Sequence, residues 1–168
     1  MTIQRVKDSY QKYVYDFIKD IYVVCPSCNG QAIVKVPDFS LSKMHAQSVK
    51  LICSKCGHNK HLEEKPESVL YSSSSTISKD KYLIIGGAID PYFHLPLWLT
   101  IACCDNTLWA YNYEHLNFIR EHVEAKLRER NIKEMTNSSL GSRLPKWMTS
   151  KKNREIILKA ITQLRNKT

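Results

Sequence analysis

Four cysteines stand in two short pairs, Cys25-Pro26-Ser27-Cys28 and Cys53-Ser54-Lys55-Cys56, with 24 residues between the pairs. A CxxC turn bends the backbone so that both thiolates face one point. Its successive amide N–H groups also face the sulfurs and offset their charge. Two such turns bring four sulfurs to the corners of a tetrahedron, the donor set of a closed structural metal site. The spacing assigns Cys25, Cys28, Cys53 and Cys56 as ligands of one ion, expected to be Zn2+, although a four-thiolate set also accepts iron. Gly57 follows Cys56 where a left-handed residue completes the turn, and Gly30 is expected to serve the first turn in the same way. His58 and His61 read as neighbours of the second turn, because four thiolates already fill the set. A redox role would go with a βαβ pattern, which the chain lacks.

The remaining reactive residues form no diagnostic constellation. Cys103 and Cys104 are adjacent in an expected strand, so their side chains should point to opposite faces as buried free thiols. No turn motif converges His94, Cys103, Cys104 and His115 on a second metal. Asp90, His94, Asp105 and His115 surround an expected hairpin without catalytic spacing, and acids at turns usually serve the turn. A closed four-thiolate centre leaves no position for water, so no enzymatic activity is expected. The five glycines, at 30, 57, 86, 87 and 141, open no phosphate loop of the GxxxxGK[ST] kind, which excludes a helicase built on one.

Charge points to a partner. The 168 residues carry a formal net charge of +9. Residues 136–168 hold eight of the basic residues and a single acid, Glu155. Such a segment attracts phosphate backbones or acidic protein surfaces. Arg143, Lys146, Lys151, Lys152, Arg154, Lys159 and Arg165 are expected to contact phosphates of a nucleic acid, with Trp147 either stacking on a base or anchoring the core. Lys50, Lys55, Lys60 and Lys65 extend a positive surface that Glu63 and Glu64 interrupt. The alternative is an adaptor that offers the same charge to an acidic protein partner in a larger assembly. The longest apolar run, Leu95 to Cys104, is too short to span a bilayer. No leader-like segment opens the chain, so no membrane association and a cytoplasmic location are expected.

These residues need an α+β scaffold to hold them. Apolar Ile3, Val6, Tyr10, Tyr13, Val14, Phe17 and Ile18 recur at helical spacing and predict an amphipathic helix over 1–20. Residues 21–66 alternate β-type runs, Ile21–Val24, Ala32–Val36 and Val49–Ile52, with the two cysteine turns. A Ser-rich linker is expected over 67–80. Residues 81–135 predict a strand at Tyr82–Ile85, then a hairpin of Leu97–Cys104 and Thr107–Tyr111 turning at Asp105-Asn106. That hairpin would put Leu99, Ile101, Cys103, Leu108 and Ala110 on one face and Trp98, Trp109 and Tyr111 on the other. The aromatic face suits either an interface or cover by a helix of the same chain. Asn112 should cap a helix from Tyr113 to Ile132, supported by Glu124 with Arg128. Residues 136–168 form a basic helical segment, ending in a helix near Lys151–Arg165 that Ser150 caps and that buries Ile157, Ile161 and Leu164.

The cysteine pattern with Cys53 to His58, a Cys-x-x-Cys-Gly-His run, resembles the zinc-ribbon family of the transcription-factor-IIB or rubredoxin-like type over roughly residues 20–66. The resemblance implies short antiparallel strands, two cysteine knuckles and a structural metal. Further along, Asp90-Pro91-Tyr92-Phe93, Pro96-Leu97-Trp98-Leu99, Cys103-Cys104-Asp105 and Leu140-Gly141-Ser142-Arg143-Leu144-Pro145-Lys146-Trp147 resemble segments of uncharacterised bacterial zinc-ribbon-containing proteins.

Overall fold

The computed structural model describes residues 5–6, 12–37, 39, 48–63, 68–72, 77–80, 83–125, 127–128 and 139–167. In chain order its strands are β1 (Arg5–Val6), β2 (Asp20–Val24), β3 (Gln31–Lys35), β4 (Lys50–Ile52), β5 (Asn59–His61), β6 (Ser68–Ser72), β7 (Ile77–Asp80), β8 (Leu99–Cys103), β9 (Asn106–Ala110) and β10 (Leu127–Arg128). The α-helices are α1 (Tyr113–Glu124), α2 (Leu140–Arg143), α3 (Lys146–Thr149) and α4 (Arg154–Arg165), with 3-10 turns at Val14–Phe17 and Lys151–Asn153. The protein is mixed α+β, with short antiparallel strands and C-terminal helices. It divides into two compact units, residues 18–98 and residues 1–17 with 99–168.

In the first of these, β2, β3, β4 and β5 form an antiparallel sheet in that order. Strict alternation sets its two faces: Ile21, Val23, Ala32, Val34 and Leu51 are buried, while Tyr22, Ile33, Lys35, Lys50 and Ile52 lie on the more exposed face. Strands β2 to β4 fall where the apolar runs place them. β5 lies outside those runs, because Asn59-Lys60-His61 is wholly polar and exposed, as an edge strand can be. The free edge of β2 is covered by residues 96–98: Val24 N–H donates to Pro96 at 2.9 Å and Trp98 N–H donates to Tyr22 at 2.9 Å. The expected Ser-rich linker contains a hairpin instead, β6 against β7. Residues 83–85 are not a strand.

The other unit also departs from the helix expected over 1–20. Among its described residues, Arg5–Val6 pairs as a parallel strand with Leu127–Arg128, and Val14–Phe17 is a single 3-10 turn. Asp16 explains the turn: its carboxylate accepts the Tyr13 N–H at 2.8 Å while its own N–H donates to the Tyr13 carbonyl at 3.1 Å. That local closure competes with helix propagation. Asn112 then draws the chain away by donating to the Phe17 carbonyl.

The β8–β9 hairpin turns at Cys104 and Asp105, both with positive φ, so its loop lies one residue earlier than expected. Cys103 therefore faces Asn106, and Leu99 faces Ala110. The register moves by two positions and the faces survive: Leu99, Cys103, Leu108 and Ala110 are buried. Trp109 is half-buried, with the α1 residue His115 edge-on at 5.6 Å, so part of the aromatic face is covered from within. Asn112 caps α1 as expected, accepting the His115 N–H at 2.8 Å. The helix stops at Glu124 rather than Ile132, because residues 127–128 leave to pair with β1. Glu124 pairs with Arg120 at 2.8 Å, and the expected pair with Arg128 lies outside the described side chains. α4 buries Ile157, Ala160, Ile161 and Leu164, on the face its periodicity predicts.

Candidate metal centre

The two cysteine turns are copies of one backbone design. Asn29 N–H donates to the Cys25 carbonyl at 3.0 Å and Cys25 N–H donates to Gly30 at 2.8 Å. In the second turn Gly57 N–H donates to Cys53 at 3.0 Å and Cys53 N–H donates to His58 at 2.8 Å. The left-handed residue is Asn29 in the first turn and Gly57 in the second. This corrects the assignment of that role to Gly30. At Gly30 a Cβ would lie 2.9 Å from Lys55 Cδ, which can swing away, and 3.3 Å from Cys28 Sγ, which would have to give slightly.

Each turn follows one strand and precedes the next, so the β2–β3 and β4–β5 connections bring the turns together. The four Sγ atoms of Cys25, Cys28, Cys53 and Cys56 all lie within 4.8 Å of one another. Cys25 to Cys56 and Cys28 to Cys53 are both 3.7 Å. A tetrahedral ion with metal–sulfur bonds of about 2.3 Å has sulfur–sulfur edges of about 3.8 Å, so the cluster has the size the ion needs. All six cysteines are free thiols. Among the described residues this is the one group of metal-ligating side chains close enough to hold an ion.

Electrostatics prepares the sulfurs unequally. The Cys56 backbone N–H is directed at Cys53 and draws that thiol down from 9.0 to about 7, against the effect of burial. The His58 N–H acts on Cys56 in the same sense, but loss of solvent and the three neighbouring sulfurs outweigh it and hold that thiol up to about 12. His58 is not a ligand: its Nδ1 lies 3.0 Å from Ser27 Oγ, a bridge from one turn to the other. Neither that bridge nor the role of Asn29 is visible in the sequence pattern, although Asn after a CxxC is the available signal for a left-handed residue.

The other reactive residues are placed as follows. Cys103 and Cys104 do not point to opposite faces, since Cys104 lies in the hairpin turn, and their sulfurs are 3.7 Å apart. Desolvation, with Cys104 beside it, pushes the Cys103 thiol up to about 11. Asp90 is fully buried, and its carboxylate accepts N–H bonds from Tyr92, Phe93 and Leu95 at 2.9, 2.8 and 2.6 Å. It is a turn residue, as acids in such sequences tend to be. Burial raises its pKa against the pull of those three donors.

Of the basic residues, Arg143, Lys146, Lys151, Lys152, Lys159 and Arg165 are exposed, while Arg154 and Trp147 are half-buried. Arg154 donates to the Ala125 carbonyl at the end of α1 at 3.5 Å, and Arg165 hydrogen-bonds Asn117 near its start. The two arginines thus tie α4 antiparallel along α1. Met148 and Gly141, buried in the short helices, anchor the segment that carries Arg143, Lys146 and Trp147.

Comparison with known proteins adds no relative: no family model matches the chain, and no curated protein or solved structure matches it.

Proposed function

We propose that the chain is a non-enzymatic zinc-ribbon protein, with zinc as the ion of its four-thiolate centre, that binds nucleic acid through its basic C-terminal segment. The observation that carries this reading is the presentation of the charge. Five cations, Arg143, Lys146, Lys151, Lys152 and Lys159, stand exposed on short elements anchored by buried Met148, Ile157 and Ile161. Among the described residues no carboxylate pairs with them. Exposed cations on anchored elements suit a phosphate backbone, whose bound counterions they would release.

Zinc in this centre would supply a rigid node with four filled positions, and with them the folding free energy of the ribbon. The chain's own residues hold that node through the two matched turns and the Ser27–His58 bridge. Free thiols throughout also suit a reducing, cytoplasmic setting. Among the described residues no helix is long and apolar enough to cross a membrane.

A second reading, an adaptor for an acidic protein, is favoured by Ile156, which is 53 % exposed on α4, the helix that carries Lys159. The test is binding of labelled duplex and single strands across a salt titration, comparing the full chain with Lys151→Glu/Lys152→Glu. Deleting the segment would strip α4 from the core it shares with β8 and α1, so charge reversal is the cleaner probe. Affinity that falls with salt, and falls at least about tenfold in the double variant, supports nucleic-acid contact. Wild-type protein that is zinc-loaded and binds no nucleic acid at low salt would discard it and leave the acidic partner.

A further inference from the structure

The ribbon sheet carries a second cationic surface, formed by register rather than by sequence clustering. Asp20 faces Lys35, Lys35 faces Lys50, and Lys50 faces His61, so one row crosses all four strands. Directly opposed residues share a face, and like charges so placed repel. Lys35 against Lys50 is therefore an arrangement that costs the free protein stability and that a bound anion would relieve. Asp20, directly opposite Lys35, offsets the first of the two lysines.

At the other end, His61 also lines an open groove of about 640 Å³ with Lys60, Phe93 and His94. The Lys60 ammonium lies 5.9 Å from the centre of the Phe93 ring. Phe93, half-buried, and His94, exposed, sit on one loop. The buried Asp90 carboxylate ties down three of that loop's N–H groups, and His94 sits at φ +55°. Among the described residues Glu63 is the one carboxylate lining the groove.

From this juxtaposition we infer that the ribbon binds single-stranded nucleic acid, with phosphates along Lys35, Lys50 and His61 on its outer face and an unpaired base around the β5 edge in the Phe93 groove, which Lys60 borders from the opposite face. A duplex offers no unstacked base to that groove, whereas a single strand supplies both a π-face and closely spaced phosphates. The inference rests on the nucleic-acid reading above but places a separate site on the other compact unit. The single-strand preference follows from Phe93, while the C-terminal cations serve any phosphate backbone.

The experiment measures binding of fluorescein-labelled oligo-dT and of a duplex by the zinc-loaded full chain. Three variants are compared with it: Lys35→Gln/Lys50→Gln, Phe93→Leu and Lys151→Gln/Lys152→Gln. The first should weaken oligo-dT binding at least about tenfold and flatten the salt slope by about 0.7 for each phosphate that is no longer neutralised. Its thermal midpoint should stay level, since the substitution removes the Lys35–Lys50 repulsion together with the Asp20–Lys35 attraction. Weakened binding with kept stability is a combination that a structural role for these lysines would not produce. Phe93→Leu should weaken oligo-dT and leave the duplex unchanged. Wild-type oligo-dT affinity in both ribbon variants, with loss confined to Lys151→Gln/Lys152→Gln, would overturn this site and leave the C-terminal reading standing. Absence of oligo-dT binding by the wild type would overturn it as well, and the duplex arm then reports separately on the C-terminal segment.

Discussion

Asn29 and Gly57 occupy the same place in the two cysteine turns. Each follows the second cysteine, each has positive φ, 56° and 75°, and each donates its N–H to the carbonyl of the first cysteine at 3.0 Å. The left-handed residue lets the chain reverse into the next strand while its neighbours' N–H groups stay on the sulfurs. Two turns of unrelated sequence thus deliver four thiolates to one point.

A direct consequence concerns backbone cost. Nothing lies within 4 Å of a Cβ added at Gly57, so Gly57→Ala meets only the conformational penalty. That penalty is about 1 kcal/mol for an L-residue in the left-handed region. Asn29→Gly should be neutral or slightly stabilising, and Asn29→Val should cost more than Gly57→Ala because a branched side chain is worst placed there. Urea midpoints of the zinc-loaded proteins check the order. A Gly57→Ala protein as stable as wild type would show that the second turn does not depend on its positive φ.

The metal centre predicts its own pH dependence. Cys56, held up to about 12, is a thiol at neutral pH, and Cys53, drawn down to about 7, is partly a thiolate. Binding an ion must therefore expel protons, and each expelled proton makes affinity fall about tenfold for every unit by which the pH drops. Apparent zinc affinity should rise steeply from pH 5 to 8, with one ion per chain, as read by competition with a chelator of known strength. Cys28→Ser should lose that stoichiometry, and the β2–β5 sheet should unfold with it. An affinity that stays flat with pH, or full zinc content in Cys28→Ser, would contradict the four-thiolate assignment.

How far these features could be read from the chain depends on how local they are. The ligands follow from two four-residue patterns, and β2 to β4 follow from alternation inside them. β5 is polar because its residues sit at an edge, so no apolar signal marks it. The period of Val14, Phe17 and Ile18 fits a helix equally well, but the Asp16 side chain closes a turn before one forms. The hairpin moved because Cys104 and Asp105, rather than Asp105 and Asn106, took the left-handed positions. Its faces survived since a shift of two residues preserves alternation. The row from Lys35 to His61 depends on pairing between strands well apart in sequence, so no local window contains it.

Asn112 joins two parts of one unit, since Oδ1 caps α1 at 2.8 Å and Nδ2 donates to the Phe17 carbonyl at 2.8 Å. Asn112→Ala removes a cap worth about 1 kcal/mol. It also strands a buried carbonyl, at a further cost of about 1–3 kcal/mol. Asn112→Ser keeps a capping oxygen and loses the reach to Phe17, so it should fall between wild type and Asn112→Ala. Chemical denaturation of the three proteins reads the order directly. Equal stability of Asn112→Ala and Asn112→Ser would mean that the cap contributes nothing.

His115 carries the last prediction. Its ring stacks on Phe17 at 4.8 Å, its Nδ1 accepts the Tyr111 N–H at 3.3 Å, and it is 2 % exposed. Burial pulls its pKa down from 6.5 to about 3, so the folded ring stays neutral where an unfolded chain would take up a proton. The unfolded state binds more protons between those two values, so stability is full above pH 6.5 and is lost as pH falls toward 3. The shift sets a ceiling of roughly 5 kcal/mol on that loss. His115→Gln keeps an acceptor for Tyr111 and cannot titrate. It should be less stable than wild type at pH 7, because the ring stack is gone, and the gap should narrow as the pH drops. The thiolate centre loses stability in acid in both proteins, so the quantity to follow is the difference between them at each pH. A gap that stays constant from pH 7 to 4 would mean that His115 takes up no fewer protons folded than unfolded.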